Sequence, residues 1–249
     1  MKKFLIIIGI LLLSAVGVRT IYAVVSERQA AAKVWEAVPL NVREVELQAK
    51  EAPKLPDSII LDVPLIEQMD APLLYNGCEV TSLAMILNYA GITVTKNELA
   101  EDIKTVPFTY SNGKKGNPNI GFVGDMAHGP GLGVYNGPVF ELTQKYAGDR
   151  AVNLTGKPFS EILKEVGQGH PVWIITTSSF APISVFQTWD TPQGKVKITF
   201  SEHSVAVTGY DENFIYINNP YGGKNMKLNR ENFIKAWEQM GKQAIVIKN

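Results

Sequence analysis

Cysteine is nearly missing from this sequence: Cys78 stands alone among 249 residues. One thiol cannot close an intramolecular disulfide, and it excludes metal sites built from cysteine pairs. Histidine is scarce as well, at His128, His170 and His203 only, so any chemistry that needs an imidazole has three choices. Neither charge is in excess, with 24 Lys and Arg against 24 Asp and Glu, and no long basic run occurs. That argues against a nucleic-acid partner, because phosphate binding needs clustered cations. No internal repeat is present.

What remains is ordinary globular composition, 45% hydrophobic and 19% charged, enough for a self-supporting core. The amino terminus departs from it. Met1-Lys2-Lys3 is a short basic segment, followed by the apolar run Phe4 to Val18 and then Arg19. This is the layout of a secretory signal. The run is shorter than the roughly 20 residues of a membrane span, with Ile21 to Val25 as an extension. Residues 1–25 therefore read as a signal peptide or signal anchor, 26–57 as a stem or linker, and 58–249 as the folded domain. The expected location is extracytoplasmic, secreted or anchored by the N-terminal segment, which would be the sole membrane contact. The domain is expected to be monomeric.

Within the domain the spacing predicts a strand over Ser58–Val63 and a helix beginning at Cys78, with Val80, Leu83, Ala84 and Leu87 at helical intervals and Gly91 as its stop. Thr95 and Glu98 form a capping box for a second helix. Residues 109–137 are rich in Gly, Asn and Pro and read as a long surface excursion. Helices are predicted near Pro138–Tyr146, Pro158–Val166 and Arg230–Met240. Strands are predicted over Val172–Thr177, Val196–Phe200, Ser204–Thr208, Phe214–Ile217 and Ala244–Ile247. Helices first and an antiparallel sheet afterwards make an α+β layout.

Cys78 falls where a loop becomes a helix, and unsatisfied backbone N–H groups with the helix dipole favour a thiolate there. Glu79 works against this, since a neighbouring carboxylate disfavours a second negative charge. A thiolate therefore needs a histidine. His128 lies in the Gly-rich loop and His170 in a turn before Pro171. His203 opens a strand, and the turn Tyr210–Asn213 folds the next strand back on it. Residues whose numbers sum to about 422 would then face each other, which sets His203 opposite Asn219, with Asn218 the competing choice if the register slips by one. An amide there can fix the imidazole tautomer and aim its other nitrogen at a thiol.

The segments PLLYNGCEVTSLAMILNYAG and HSVAVTGYDENFIYINNPYGG together resemble the bacteriocin-processing-peptidase-like domains, a branch of the papain-like cysteine peptidases. The resemblance implies a papain-like fold, a helical N-terminal half packed on an antiparallel sheet. It implies Gln68 as an oxyanion donor and the order Gln68, Cys78, His203, Asn219. The departures from the family pattern are Glu79 in place of a small residue, a longer interval from Gln68 to Cys78, and Asn219 where Asp often stands. Together with the N-terminal signal, the function so implied is an exported cysteine peptidase acting on a peptide or protein substrate, with no cofactor and no metal. Two alternatives stay open: a surface module that binds peptide or cell-wall material without turnover, and an amidase or transpeptidase using the same triad. Because Lys2 and Lys3 should stay cytoplasmic, protease added to intact cells is expected to digest the domain, or the domain is expected in the medium. Protection of the domain inside intact cells would refute this topology.

Overall fold

The computed structural model describes residues 54–248. The expected signal segment, residues 1–25, and the stem through residue 53 lie outside the described residues. Among the described residues, no helix is long and apolar enough to cross a membrane.

The fold is α+β, built around one antiparallel sheet. Its strands are β1 (Ile59–Ile60), β4 (Ala151–Asn153), β5 (Val172–Thr177), β8 (Glu202–Tyr210), β9 (Phe214–Asn218), β10 (Met226–Asn229) and β11 (Ala244–Ile247), in the order β10-β9-β8-β5-β11-β4 with β1 on β8. β5 is buried along its whole length, as expected for an apolar run with no polar alternation. The helices are α1 (Cys78–Tyr89), α2 (Lys96–Asp102), α3 (Asn136–Ala147), α4 (Phe159–Gly167) and α5 (Arg230–Gln239). Two small pairings complete the described elements: β2 (Thr105–Val106) with β3 (Phe122–Val123), and the hairpin of β6 (Gln187–Thr191) and β7 (Gly194–Ile198).

Helix α1 is buried from Cys78 through Leu87, polar residues included. It packs on β8 and β5 and is covered by α2 and α3. A helix enclosed on all sides does not need a one-sided apolar stripe, which explains how Glu79, Thr81 and Ser82 come to lie inside. Gly91 takes φ +80° just past its end, the left-handed geometry that stops a helix. At α2 the capping box is present, with Thr95 accepting from Glu98 N–H and the Glu98 carboxylate accepting from Thr95 N–H.

Three expectations need correction. The first strand is only Ile59–Ile60, because β1 is an edge piece that meets β8 at two pairs, Ile59 with Tyr210 and Ile60 with Gly209. Residues 109–137 are not a surface excursion. Phe122, Val123, Met126 and Val134 are buried, and Val106, Val123, Trp189 and Ile198 form a second apolar cluster that joins this segment to the β6–β7 hairpin. Its glycines let backbones approach without side chains between them.

The third correction is the hairpin register. β8 pairs with β9 through Ala206↔Asn218 and Val207↔Ile217, then, after a bulge at Thr208, through Gly209↔Tyr216 and Tyr210↔Ile215. The turn closes one residue later than expected, with Asp211 N–H donating to Phe214 O and the Asp211 carboxylate accepting from Asn213 and Phe214 N–H. Asn219 is therefore not directly opposite His203. The slip is by an even number of residues, so Asn219 stays on the face of His203 as its diagonal neighbour.

Gly209 lies where β1 crosses the end of β8, and a Cβ there would sit 2.3 Å from Ile59 O. Gly209→Ala is expected to detach β1 and lower unfolding stability by about 1–3 kcal/mol, read by denaturant titration. An unchanged midpoint would show that β1 is dispensable.

Candidate active site

Cys78 is the first residue of α1, and Gly77 before it provides no side-chain cap. The helix start is held by other bonds: Thr81 Oγ1 donates to Gly77 O at 2.7 Å, and Trp173 Nε1 donates to Glu79 O at 3.0 Å. The second of these ties α1 to β5 in the middle of the sheet. Cys78 is only 8% exposed. Its thiol donates to Glu79 Oε2 at 3.3 Å, and no hydrogen bond joins it to His203 among the described residues.

His203 is buried on β8, and its Nε2 lies 2.9 Å from Asn219 Oδ1. If the amide oxygen accepts, Nε2 carries the proton and Nδ1 is the free lone pair. Asn219 is itself steadied, because its N–H donates to Gly223 O and its Oδ1 also accepts from Tyr221 N–H. The Tyr221 ring stacks on the imidazole at 5.2 Å between centroids, and Phe180 flanks it at 6.1 Å. These aromatic rings were not singled out from the sequence. Asn218 turns the other way: it is buried, its Nδ2 donates to Val63 O and its Oδ1 accepts from Asn225 N–H. Burial holds His203 below the usual imidazole range, against the Asn219 bond, which raises it.

Gln68 is fully buried, with Nε2 3.2 Å from Leu74 O and 3.0 Å from Tyr75 O, while its Oε1 has no partner. Its backbone N–H donates to Pro220 O at 2.8 Å. That bond ties the segment leading into Cys78 to the turn that carries Asn219. The side chain also lies within reach of Tyr221. The other histidines are elsewhere, His128 beside Asp125 and His170 beside Glu165.

A feature that sequence reasoning missed is Glu202. Its carboxyl, the Glu79 carboxyl and Cys78 Sγ all lie within 4.8 Å of one another. Spacing offered no signal, since positions 79 and 202 are brought together only by the packing of α1 on β8. Gly133 roofs the pair: a Cβ there would sit 2.5 Å from Glu79 Oε1 and 2.6 Å from Glu202 Oε2, and its φ of +144° suits glycine. Val134 N–H donates to Glu79 Oε1 at 2.6 Å, while Glu202 Oε1 is buried without a partner.

Burial pushes Glu79 up to about 7, opposed by hydrogen bonds from its own N–H, from Val134 N–H and from the thiol. Burial, then the Glu79 charge, hold Glu202 well above the usual carboxylate range. Burial first, then Glu79 and Glu202, raise the Cys78 thiol well above its ordinary value, while Ser204 N–H against the sulfur acts the other way.

An acid whose folded value is raised binds more protons folded than unfolded, so its contribution to stability is lost as pH rises. For Glu79 the loss runs from about 4.5 to about 7 and is of the order of 3 kcal/mol. His203 acts in the opposite sense below its ordinary 6.5, so the comparison with a variant isolates the carboxyl. Glu79→Gln is expected to gain on the wild type in melting temperature as pH rises from 5 to 7.5. Parallel curves would show that the folded protein already holds Glu79 ionised at pH 5, so that burial does not raise it.

Comparison with known proteins agrees with this architecture. Residues 60–245 match the Peptidase_C39 like family. YvpB of Bacillus subtilis, an uncharacterised protein, is 62% identical over 188 residues, which cover 76% of this chain and 75% of YvpB. The crystal structure of a candidate C39-like peptidase from Bacillus anthracis superposes with a TM-score of 0.74 at 49% identity, covering 77% of this chain and 98% of that one. With the family pattern matched from residue 60 to residue 245, the helix that opens at Cys78 included, this chain belongs to the Peptidase_C39 like family.

Proposed function

We propose that the chain is an exported cysteine peptidase in which Cys78 is the nucleophile, His203 the base and Asn219 the residue that orients the imidazole. The observation that carries this reading is the 2.9 Å contact of His203 Nε2 with Asn219 Oδ1. It leaves Nδ1 to receive a proton, in a chain whose only thiol begins a helix.

In this mechanism the thiol turns from Glu79 toward the imidazole and its proton passes to His203 Nδ1. The thiolate then attacks a peptide carbonyl carbon, forming the S–C bond and an oxyanion. The Cys78 backbone N–H and the Gln68 amide stabilise that charge, Gln68 doing so by releasing one of its carbonyl partners. Collapse breaks the C–N bond, and the imidazolium hands its proton to the departing amine. Water attacks the thioester with His203 again as base, and the acid leaves with the thiol restored. Asn219 holds the ring throughout, and the stacked Tyr221 ring limits water at the His203–Asn219 bond.

A second reading, a surface module that binds peptide without turnover, is favoured by one observation: Cys78 is buried with its sulfur within 4.8 Å of the Glu79 and Glu202 carboxyls, surroundings that disfavour a thiolate. Peptide hydrolysis by the variants separates the two. Cys78→Ser should abolish turnover with little change in melting temperature, and His203→Ala should lose at least about 10²-fold. Asn219→Ala should lower kcat, whereas Asn218→Ala should mainly cost stability, about 1–3 kcal/mol for its broken buried hydrogen bonds. Hydrolysis that survives Cys78→Ser intact would sink the peptidase reading.

A further inference from the structure

An acidic residue in the first turn of a helix is usually explained by the dipole and by solvent. Glu79 does not fit that explanation. It is fully buried, its Oε2 accepts from the thiol, and its Oε1 accepts from Val134 N–H in a loop that comes from elsewhere in the chain. Gly133 leaves just the room the two carboxyls occupy. Among the described residues neither Glu79 nor Glu202 is in an ion pair; the ionisable groups that face them are Cys78, Tyr135 and each other, and Tyr221, which stacks on His203, faces Cys78 and Glu79. Two bare carboxylates in such a place would cost several kcal/mol, so the pair keeps at least one proton.

We infer that Glu79 is a positioning residue that sets the pH window of Cys78: protonated, it donates to the Cys78 thiolate, and ionised, it takes the thiol's hydrogen bond and keeps the sulfur protonated. The thiol's proton goes to His203 in the first state and stays on sulfur in the second. Glu202 is the uncharged neighbour that lets Glu79 change state alone. This role accounts for the thiol lying on Glu79 rather than on His203, and for the value near 7 that burial gives the Glu79 carboxyl. The inference rests on the reading of Cys78 as the reactive thiol, but its readout does not require hydrolysis.

The test is alkylation of the single thiol by iodoacetamide between pH 5 and 9, in which the thiolate displaces iodide to form the S–C bond. Glu79→Gln keeps the size and an acceptor for Val134 N–H but cannot ionise. It is expected to react at least about tenfold faster than wild type at pH 8, the equivalent of one pKa unit on the thiol. At pH 5.5, where the residue at position 79 is uncharged in both proteins, the two rates should agree within about threefold. Superimposable profiles from pH 5 to 9 would overturn the inference. Should the variant misfold, the wild type alone suffices: infrared titration should show a protonated carboxyl stretch at pH 6 that shrinks by pH 8, and its absence at pH 6 would equally overturn it. A protein that hydrolyses nothing yet shows the Glu79-dependent profile would sink the peptidase reading and leave this one standing. An active peptidase with identical profiles would do the reverse.

Discussion

The hydrogen bond from the Cys78 thiol to Glu79 can exist only because the start of α1 is sealed from water, and much of the fold contributes to that seal. Trp173 on β5 holds Glu79 by its carbonyl, Gly133 and Val134 close over its carboxyl, and β8 brings Glu202 and the Ser204 N–H up against the sulfur. In water a carboxylate at a helix start is an ordinary stabilising group. Removed from water it becomes a proton reservoir, since charge is the state the interior opposes. The thiol shares that environment, so the feature that protects the candidate nucleophile also holds it un-ionised.

The imidazole side of the site follows a different logic. Burial holds His203 below the ordinary imidazole range and Asn219 aims it, and Asn219 is fixed by bonds within the turn that follows β9. The Gln68–Pro220 backbone bond links this turn to the segment entering Cys78. Movement of either segment would therefore be felt by both halves of the site. Adjacent residues at the start of β8 serve different partners: Glu202 meets Glu79 under Gly133, while His203 meets Asn219.

Much of the fold was legible from local pattern. The helix starting at Cys78, the Thr95 capping box, the buried run Val172–Thr177 and the closing strand Ala244–Ile247 all rest on short-range signals that packing did not override. The short strands β2, β3, β4, β6 and β10 left weaker traces because they are brief or polar. The segment 109–137 was misjudged for a clear reason. A Gly- and Pro-rich stretch reads as solvent-facing, yet the same glycines allow backbones to pack within contact of the core.

By itself the sequence determined the chemistry available: one thiol at a helix start, three imidazoles, and two asparagines after a strand. It also determined the face that His203 shares with residue 219, because strand parity survives an even slip in register. Only the tertiary structure decided which asparagine meets the imidazole, since that turned on where the hairpin closes and on a bulge at Thr208. It alone decided that Glu79 points inward and finds Glu202. Two carboxyls more than a hundred residues apart leave no mark in local periodicity, and their resistance to ionisation arises from packing, which excludes the water that would otherwise let both ionise.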